Sequence, residues 1–168
     1  GDQALSLFDL TGRVAIVTGG TRGIGRAIVQ ALRDAGASVA FCSESAEDVR
    51  RAGETLEAGA PGAQALGIAC DVADDDAQRR MVEETLARFG QLDVWIANAG
   101  RGISRSVEQL TDDDLDDMIT TNVKSVLYGI QAVMPGFREH KRGHLIAVSS
   151  MLGRIPLAPL RSAYSAAK

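Results

Sequence analysis

Two residues near the end of the chain, Tyr164 and Lys168, stand four apart in the run Tyr-Ser-Ala-Ala-Lys. On a helix that spacing stacks both side chains on one face. A phenol has a reference pKa of about 10, and a nearby ammonium favours its ionised form. Such a phenol can donate a proton to a carbonyl or take one from an alcohol. Upstream, Ser149 and Ser150 close an apolar run, where a hydroxyl could hold a substrate oxygen beside the tyrosine. Tyr-x₃-Lys alone is common in helices. It becomes informative because it follows a strand that ends in serine by about one loop.

A second pattern concerns phosphate. Thr18-Gly19-Gly20-Thr21-Arg22-Gly23-Ile24-Gly25 links an apolar run to a helical one. Glycines there permit a tight turn and a close backbone approach to a pyrophosphate, and a helix N-terminus adds free N–H groups. The spacing Gly-x₃-Gly-x-Gly differs from the general dinucleotide fingerprint. A plain glycine-rich junction is the competing reading.

The elements that must position these residues alternate. Strands are expected at Val14 to Thr18, Ser38 to Cys42, Ala63 to Cys70, Val94 to Ala97 and Leu145 to Ser149. Helices are expected at Gly23 to Ala35, Ala46 to Ala58, Asp74 to Phe89 and Asp112 to Met134, the last capped by Thr111, with a further helix starting near Ser162. Buried strands alternating with helices predict right-handed βαβ units and a doubly wound parallel sheet, a three-layer α/β/α Rossmann fold, as a single domain. Ligands are then expected at the carboxyl ends of the strands.

Composition narrows the function. A net charge of −4 gives no basic footprint for nucleic acid, and 45% apolar residues is a normal globular value. No apolar run approaches the roughly 20 residues that span a bilayer, and the N-terminal stretch does not read as a signal peptide. A cytoplasmic location is expected. Cys42 and Cys70 read as buried free thiols, and with His140 and His144 they form no metal constellation. The acidic run from Asp112 to Asp117 reads as decoration of a helix N-terminus. Trp95 reads as a core aromatic. Arg101 reads equally as a ligand contact or a solvated side chain.

These residues together resemble the short-chain dehydrogenases/reductases, in chain order from about Asp9 onward. Thr18-Gly19-x₃-Gly23-x-Gly25 matches the family's glycine motif. Asp71-Val72 matches its adenine-contacting pair, and Asn98-Ala99-Gly100 matches the segment that lines the cofactor. Asn122, Ser150, Tyr164 and Lys168 match its active-site asparagine, serine, tyrosine and lysine. The resemblance implies an NAD(P)(H)-dependent enzyme acting on a small carbonyl or secondary alcohol. Tyr164 would be the general acid/base, and Lys168 would lower its pKa and hold the nicotinamide ribose. Ser150 would position the reacting oxygen, and Asn122 would help hold a relay water.

Cofactor contacts are implied for Gly19, Thr21, Arg22, Gly23, Ile24 and Gly25 in the turn. Others are implied for Ser43 and Glu44 after the second strand, for Asp71, Val72, Asn98, Ala99 and Gly100, and for Tyr164 and Lys168. Ser43 stands at the usual aspartate of NAD-preferring relatives, and Glu44 would repel a 2′-phosphate. Arg22 argues the other way. The balance leans to NAD(H). Ala97 departs from a usual asparagine. The serine-to-tyrosine separation is one residue long if Ser150 is the serine, which leaves Ser149 and Ser150 open.

The family's later strands and substrate-covering helices are missing after Lys168. The expectation is therefore part of a longer chain of roughly 250 residues, truncated after the fifth strand and assembled as a homodimer or homotetramer. The competing functions are a catalytically inactive nucleotide-binding regulator on the same fold and a methyltransferase-like domain, which has no use for Tyr-x₃-Lys.

Overall fold

The computed structural model describes residues 7–102, 105–149, 164, 167 and 168. Five strands form one parallel sheet: β1 (Val14–Thr18), β2 (Ser38–Ser43), β3 (Ala65–Ala69), β4 (Val94–Ala97) and β5 (His144–Ala147), in the order β3-β2-β1-β4-β5. Helices α1 (Gly23–Asp34), α2 (Ala46–Thr55), α3 (Asp75–Phe89), α4 (Asp112–Ile119) and α5 (Ser125–His140) connect them. The chain runs outward from β1 through β2 to β3, then returns to the far side of β1 as β4 and β5. The direction of winding therefore reverses between β1 and β4, and a crevice opens there at the strands' carboxyl ends.

Strand alternation divides the core. Ala15 and Val17 of β1, Val39 and Phe41 of β2 and Ile96 of β4 face α1 and α2, packing with Val29 and Ala52. Ile16, Ala40, Cys42, Trp95 and Ala97 face the other way, against Met81 and Val82 of α3 and Val133 and Phe137 of α5. Because both faces are covered, β1 is apolar from Val14 to Val17 and every one of its residues, Thr18 included, is buried. Trp95 is 1% exposed, a core aromatic, and Gly129 of α5 lets its ring pack directly on the helix backbone.

The amino ends of the strands are tied by one carboxylate. Asp93, just before β4, accepts hydrogen bonds from the Val14 N–H (2.9 Å), Gln91 Nε2 (2.8 Å) and Arg142 Nη2 (2.7 Å). Its own N–H donates to the Val14 carbonyl, and its carbonyl accepts from the His144 N–H. Burial pushes this carboxyl up, but the Val14, Arg142 and Gln91 hydrogen bonds outweigh burial and hold it below the usual carboxylate range.

Several expected boundaries move. β3 is shorter than Ala63 to Cys70, and Cys70 lies just past it with its N–H on the Ser43 carbonyl. β5 starts at His144 and ends at Ala147, so Ser149 lies beyond the strand. The long helix does not stop at Met134. It continues through Pro135 to His140, because Phe137 in its last turn is buried in the core. It is also interrupted: Thr120–Lys124 forms a π-helical turn between α4 and α5. Thr111 caps α4 as expected, in a capping box with Asp114. Ser162, the expected start of the last helix, is outside the described residues. Tyr164 and Ala167 are helical, and the Lys168 N–H donates to the Tyr164 carbonyl at 3.0 Å.

Candidate functional site

The crevice is organised by Thr18, the last residue of β1. Its Oγ1 accepts from the Asn98 N–H (3.0 Å) and the Ala99 N–H (3.1 Å), and donates to the Ile96 carbonyl at 3.4 Å. Asn98 Nδ2 donates to the Gly19 carbonyl at 3.1 Å. The glycine turn is thereby fastened to the segment after β4. Gly19 has φ +67, and a Cβ there would lie 2.9 Å from Ala99 Cα. A Cβ on Gly25 would lie 2.0 Å from the Gly19 carbonyl oxygen. Both glycines are therefore required for the first turn of α1 to sit on the loop. No side chain caps that helix at Arg22, which leaves its leading N–H groups for a ligand.

Two adjoining cavities follow the crevice. The first, about 580 Å³, is lined by Gly19, Thr21 and Arg22 of the turn, Ser43 and Glu44 after β2, Asp71 and Val72 after β3, and Asn98, Ala99 and Gly100 after β4. The second, about 420 Å³, is lined by Arg22, Ile24, Gly25, Asn98 and Gly100 and reaches Ser149, Tyr164 and Lys168. The shared residues Arg22, Asn98, Gly100, Arg101 and Gly102 make the two continuous. Gly23, with φ +58, lines neither cavity and serves the turn.

At the inner end, Lys168 Nζ stands 5.9 Å from the Tyr164 ring centroid and donates to the Val148 carbonyl at 3.4 Å. Ser149 Oγ donates to the Lys168 main-chain oxygen at 2.8 Å. Ser150 lies outside the described residues. Gly100 lets this group close up, since a Cβ there would lie 2.6 Å from Asn122 Oδ1 and 2.9 Å from Lys168 Nζ.

Asn122 is buried on the π-helical turn. Its Oδ1 accepts from the Arg101 N–H at 3.0 Å, and its Nδ2 donates to the Arg101 carbonyl at 2.8 Å and the Met118 carbonyl at 3.1 Å. The asparagine thus grips the Arg101 peptide on both sides. The wider π turn changes which helix carbonyls need partners, and side chains serve two of them: Asn122 at Met118, and Ser125 Oγ at Thr121 at 2.6 Å.

Sequence reasoning did not single out the Thr18 hydroxyl as a site residue, nor the tether on Arg101. That arginine bonds Asp117 at 2.9 Å and approaches Glu44 at 3.7 Å over the first cavity. The acidic run that holds Asp117 also pairs Asp114 with Arg105 at 2.6 Å. Cys42 and Cys70 are free and buried beside the first cavity. The Cys70 partner and burial both push the Cys42 thiol up.

A family model described as short chain dehydrogenase matches residues 13–168. An uncharacterised oxidoreductase of Listeria monocytogenes is 33% identical over 156 residues, covering 93% of this chain and 62% of the relative. One from Mycobacterium bovis is 35% identical over 171 residues, covering 99% of this chain and 50% of the relative. Among solved structures, a dehydrogenase/reductase from Sinorhizobium meliloti superposes with a TM-score of 0.89 at 30% identity, over 100% of this chain and 66% of that one. A metagenomic short-chain oxidoreductase in complex with NADP superposes with a TM-score of 0.84 at 35% identity, over 95% of this chain and 71% of that one. The chain therefore spans about three fifths of the Listeria relative's length and half of the mycobacterial one's.

Proposed function

Because this chain belongs to the short-chain dehydrogenase/reductase family, we propose that the full-length protein is a nicotinamide-dependent oxidoreductase that interconverts a small carbonyl compound and a secondary alcohol. The observation that carries the reading is the continuity of the crevice. It runs from the Gly19–Gly25 turn to a chamber that holds Ser149, Tyr164 and Lys168.

The residues present fit a dinucleotide. Gly19 and Gly25 let the turn close on Ala99 and Asn98, and the first turn of α1, which has no side-chain cap, faces the crevice. Gly19, Thr21, Arg22, Ile24 and Gly25 would hold the pyrophosphate, with Gly23 shaping the turn. Ser43 and Glu44 would meet the adenine ribose, Asp71 and Val72 the adenine ring, and Asn98, Ala99 and Gly100 the middle of the molecule. When bound, the nicotinamide supplies or accepts the hydride. Tyr164 gives its phenolic proton to the carbonyl oxygen in reduction, or takes it from the alcohol in oxidation. Lys168, with its Nζ 5.9 Å from the ring centroid, would hold the nicotinamide ribose. The serine after β5, Ser149 or Ser150, orients the reacting oxygen. Asn122 keeps the Arg101 peptide in place and with it the floor at Gly100. Glu44 on the wall of the first cavity supports a lean to NAD(H), since a carboxylate there repels a 2′-phosphate.

The test is Tyr164→Phe in the full-length protein. The ring stays and only the transferable proton goes, so turnover of a ketone panel is expected to fall by about 100-fold or more while NADH binding persists. Lys168→Ala is expected to weaken both. Near-normal kcat in Tyr164→Phe would refute the assignment. Wild-type protein that binds NADH and reduces no ketone would instead indicate a nucleotide-binding regulator.

A further inference from the structure

Arg101 follows the cofactor-lining segment and is held at three points of unequal strength. Asn122 bonds both the N–H and the carbonyl of its peptide, at 3.0 and 2.8 Å. Asp117 accepts from its Nη1 at 2.9 Å. Its Nη2 lies 3.7 Å from Glu44 Oε2, close enough for attraction and too far for a hydrogen bond. The guanidinium is therefore anchored on the α4 side and only loosely engaged on the β2 side. The Glu44 side chain is 69% exposed, so it can leave without disturbing the core.

The geometry points to Arg101 as the anion-binding residue at the adenine-ribose end of the crevice, with Glu44 as a built-in competitor for its free edge. This rests on the dinucleotide reading above and deepens it. With an unphosphorylated ribose, Glu44 stays on Arg101 and the ion pair closes across the first cavity. A 2′-phosphate brings more charge and three acceptor oxygens to the same guanidinium edge, where phosphate bonds bidentately. It exchanges with Glu44, which swings to solvent. The carboxylate that disfavours a 2′-phosphate is thus partly silenced by the arginine the phosphate would use. Preference between the two cofactors is then a competition for one guanidinium rather than a property of Glu44 alone.

The test is the ratio of dissociation constants for NADPH and NADH, read by fluorescence titration of the full-length protein and its variants. Arg101→Ala is expected to raise the ratio by about fivefold, the scale of one exposed ion pair. Glu44→Gln is expected to lower it by a similar factor. The decisive arm is Arg101→Ala in the Glu44→Gln background. If Arg101 takes the phosphate directly, the ratio rises there at least as far as in the wild-type background. If Arg101 only screens Glu44, its effect vanishes in that background and the inference is overturned. An unchanged ratio in Arg101→Ala with NADH still bound overturns it equally. Arg101→Gln, which keeps most of the side chain's reach, reads the same ratio should the alanine variant unfold. Wild-type protein that binds neither cofactor would overturn the dinucleotide reading and this inference together.

Discussion

Replacing Gly25 by alanine should damage the protein far more than replacing Gly23, although the two glycines share one motif. A Cβ at Gly25 would stand 2.0 Å from the Gly19 carbonyl oxygen and 2.4 Å from Asn98 Nδ2, where Cβ atoms keep about 3.0 Å. Either the first turn of α1 or the loop must therefore move by about 1 Å. The nearer obstacle, the Gly19 carbonyl, is backbone, and moving the Asn98 side chain alone does not clear it. Overpacking of this kind costs about 1–3 kcal/mol, and losing the Asn98–Gly19 hydrogen bond adds about 1 kcal/mol. At roughly 2–4 °C per kcal/mol for a domain of this size, Tm should fall by roughly 4–16 °C. The displaced turn should also weaken NADH binding by about tenfold or more. Gly23 has φ +58 and nothing within 4 Å of its would-be Cβ, so alanine there meets only left-handed backbone strain of about 1–2 kcal/mol. Thermal melts and NADH titrations of both variants decide the matter. A Gly25→Ala protein that melts at or above Gly23→Ala and binds NADH like wild type would refute the steric argument.

Asp93 should make stability depend on acid pH. Its carboxyl titrates lower in the folded state than in the unfolded chain, so its contribution is present above about pH 4 and is lost as pH falls through the folded value. Chemical denaturation between about pH 2 and 5 should show a flatter pH dependence for Asp93→Asn, and Asp93→Ala should cost roughly 3 kcal/mol at neutral pH by stranding the Val14 N–H; equal slopes in wild type and Asp93→Asn would contradict this. Cys42, 0% exposed and with its thiol pushed up, should resist iodoacetamide in the native protein and label only on unfolding, as peptide mass mapping can check.

The parts of this molecule that were legible in its sequence are those governed by local pattern. Val14 to Thr18 is an unbroken apolar run ahead of spaced glycines, and both strand and turn stand where that pattern puts them. What the pattern could not show depends on tertiary contact. Pro135 argues for a helix end at Met134, yet burial of Phe137 carries α5 past it. Nothing in Thr-Thr-Asn-Val-Lys signals a π-helical turn, because the carbonyls at Met118 and Thr121 find partners only through folded side-chain geometry. Arg101 was evenly balanced between ligand and solvent. Its tether comes from Asn122 and Asp117, 21 and 16 residues away, at separations that local spacing does not constrain.

The π-helical turn also governs how this segment can change length. A π turn accommodates one residue more than the α-helix it interrupts. Deleting one residue within Thr120–Lys124 would therefore restore ordinary helical winding and leave α5 close to its present phase relative to α4. Val133 and Phe137 would keep facing the sheet, while the cap at Thr111 still held the other end. What such a deletion removes is the widened turn from which Asn122 reaches the Arg101 peptide. A single deletion here should spare the core contacts of α5 and give up the grip of Asn122 on Arg101, whereas a deletion later in α5, before Val133, would rotate Val133 and Phe137 by about 100° away from the sheet.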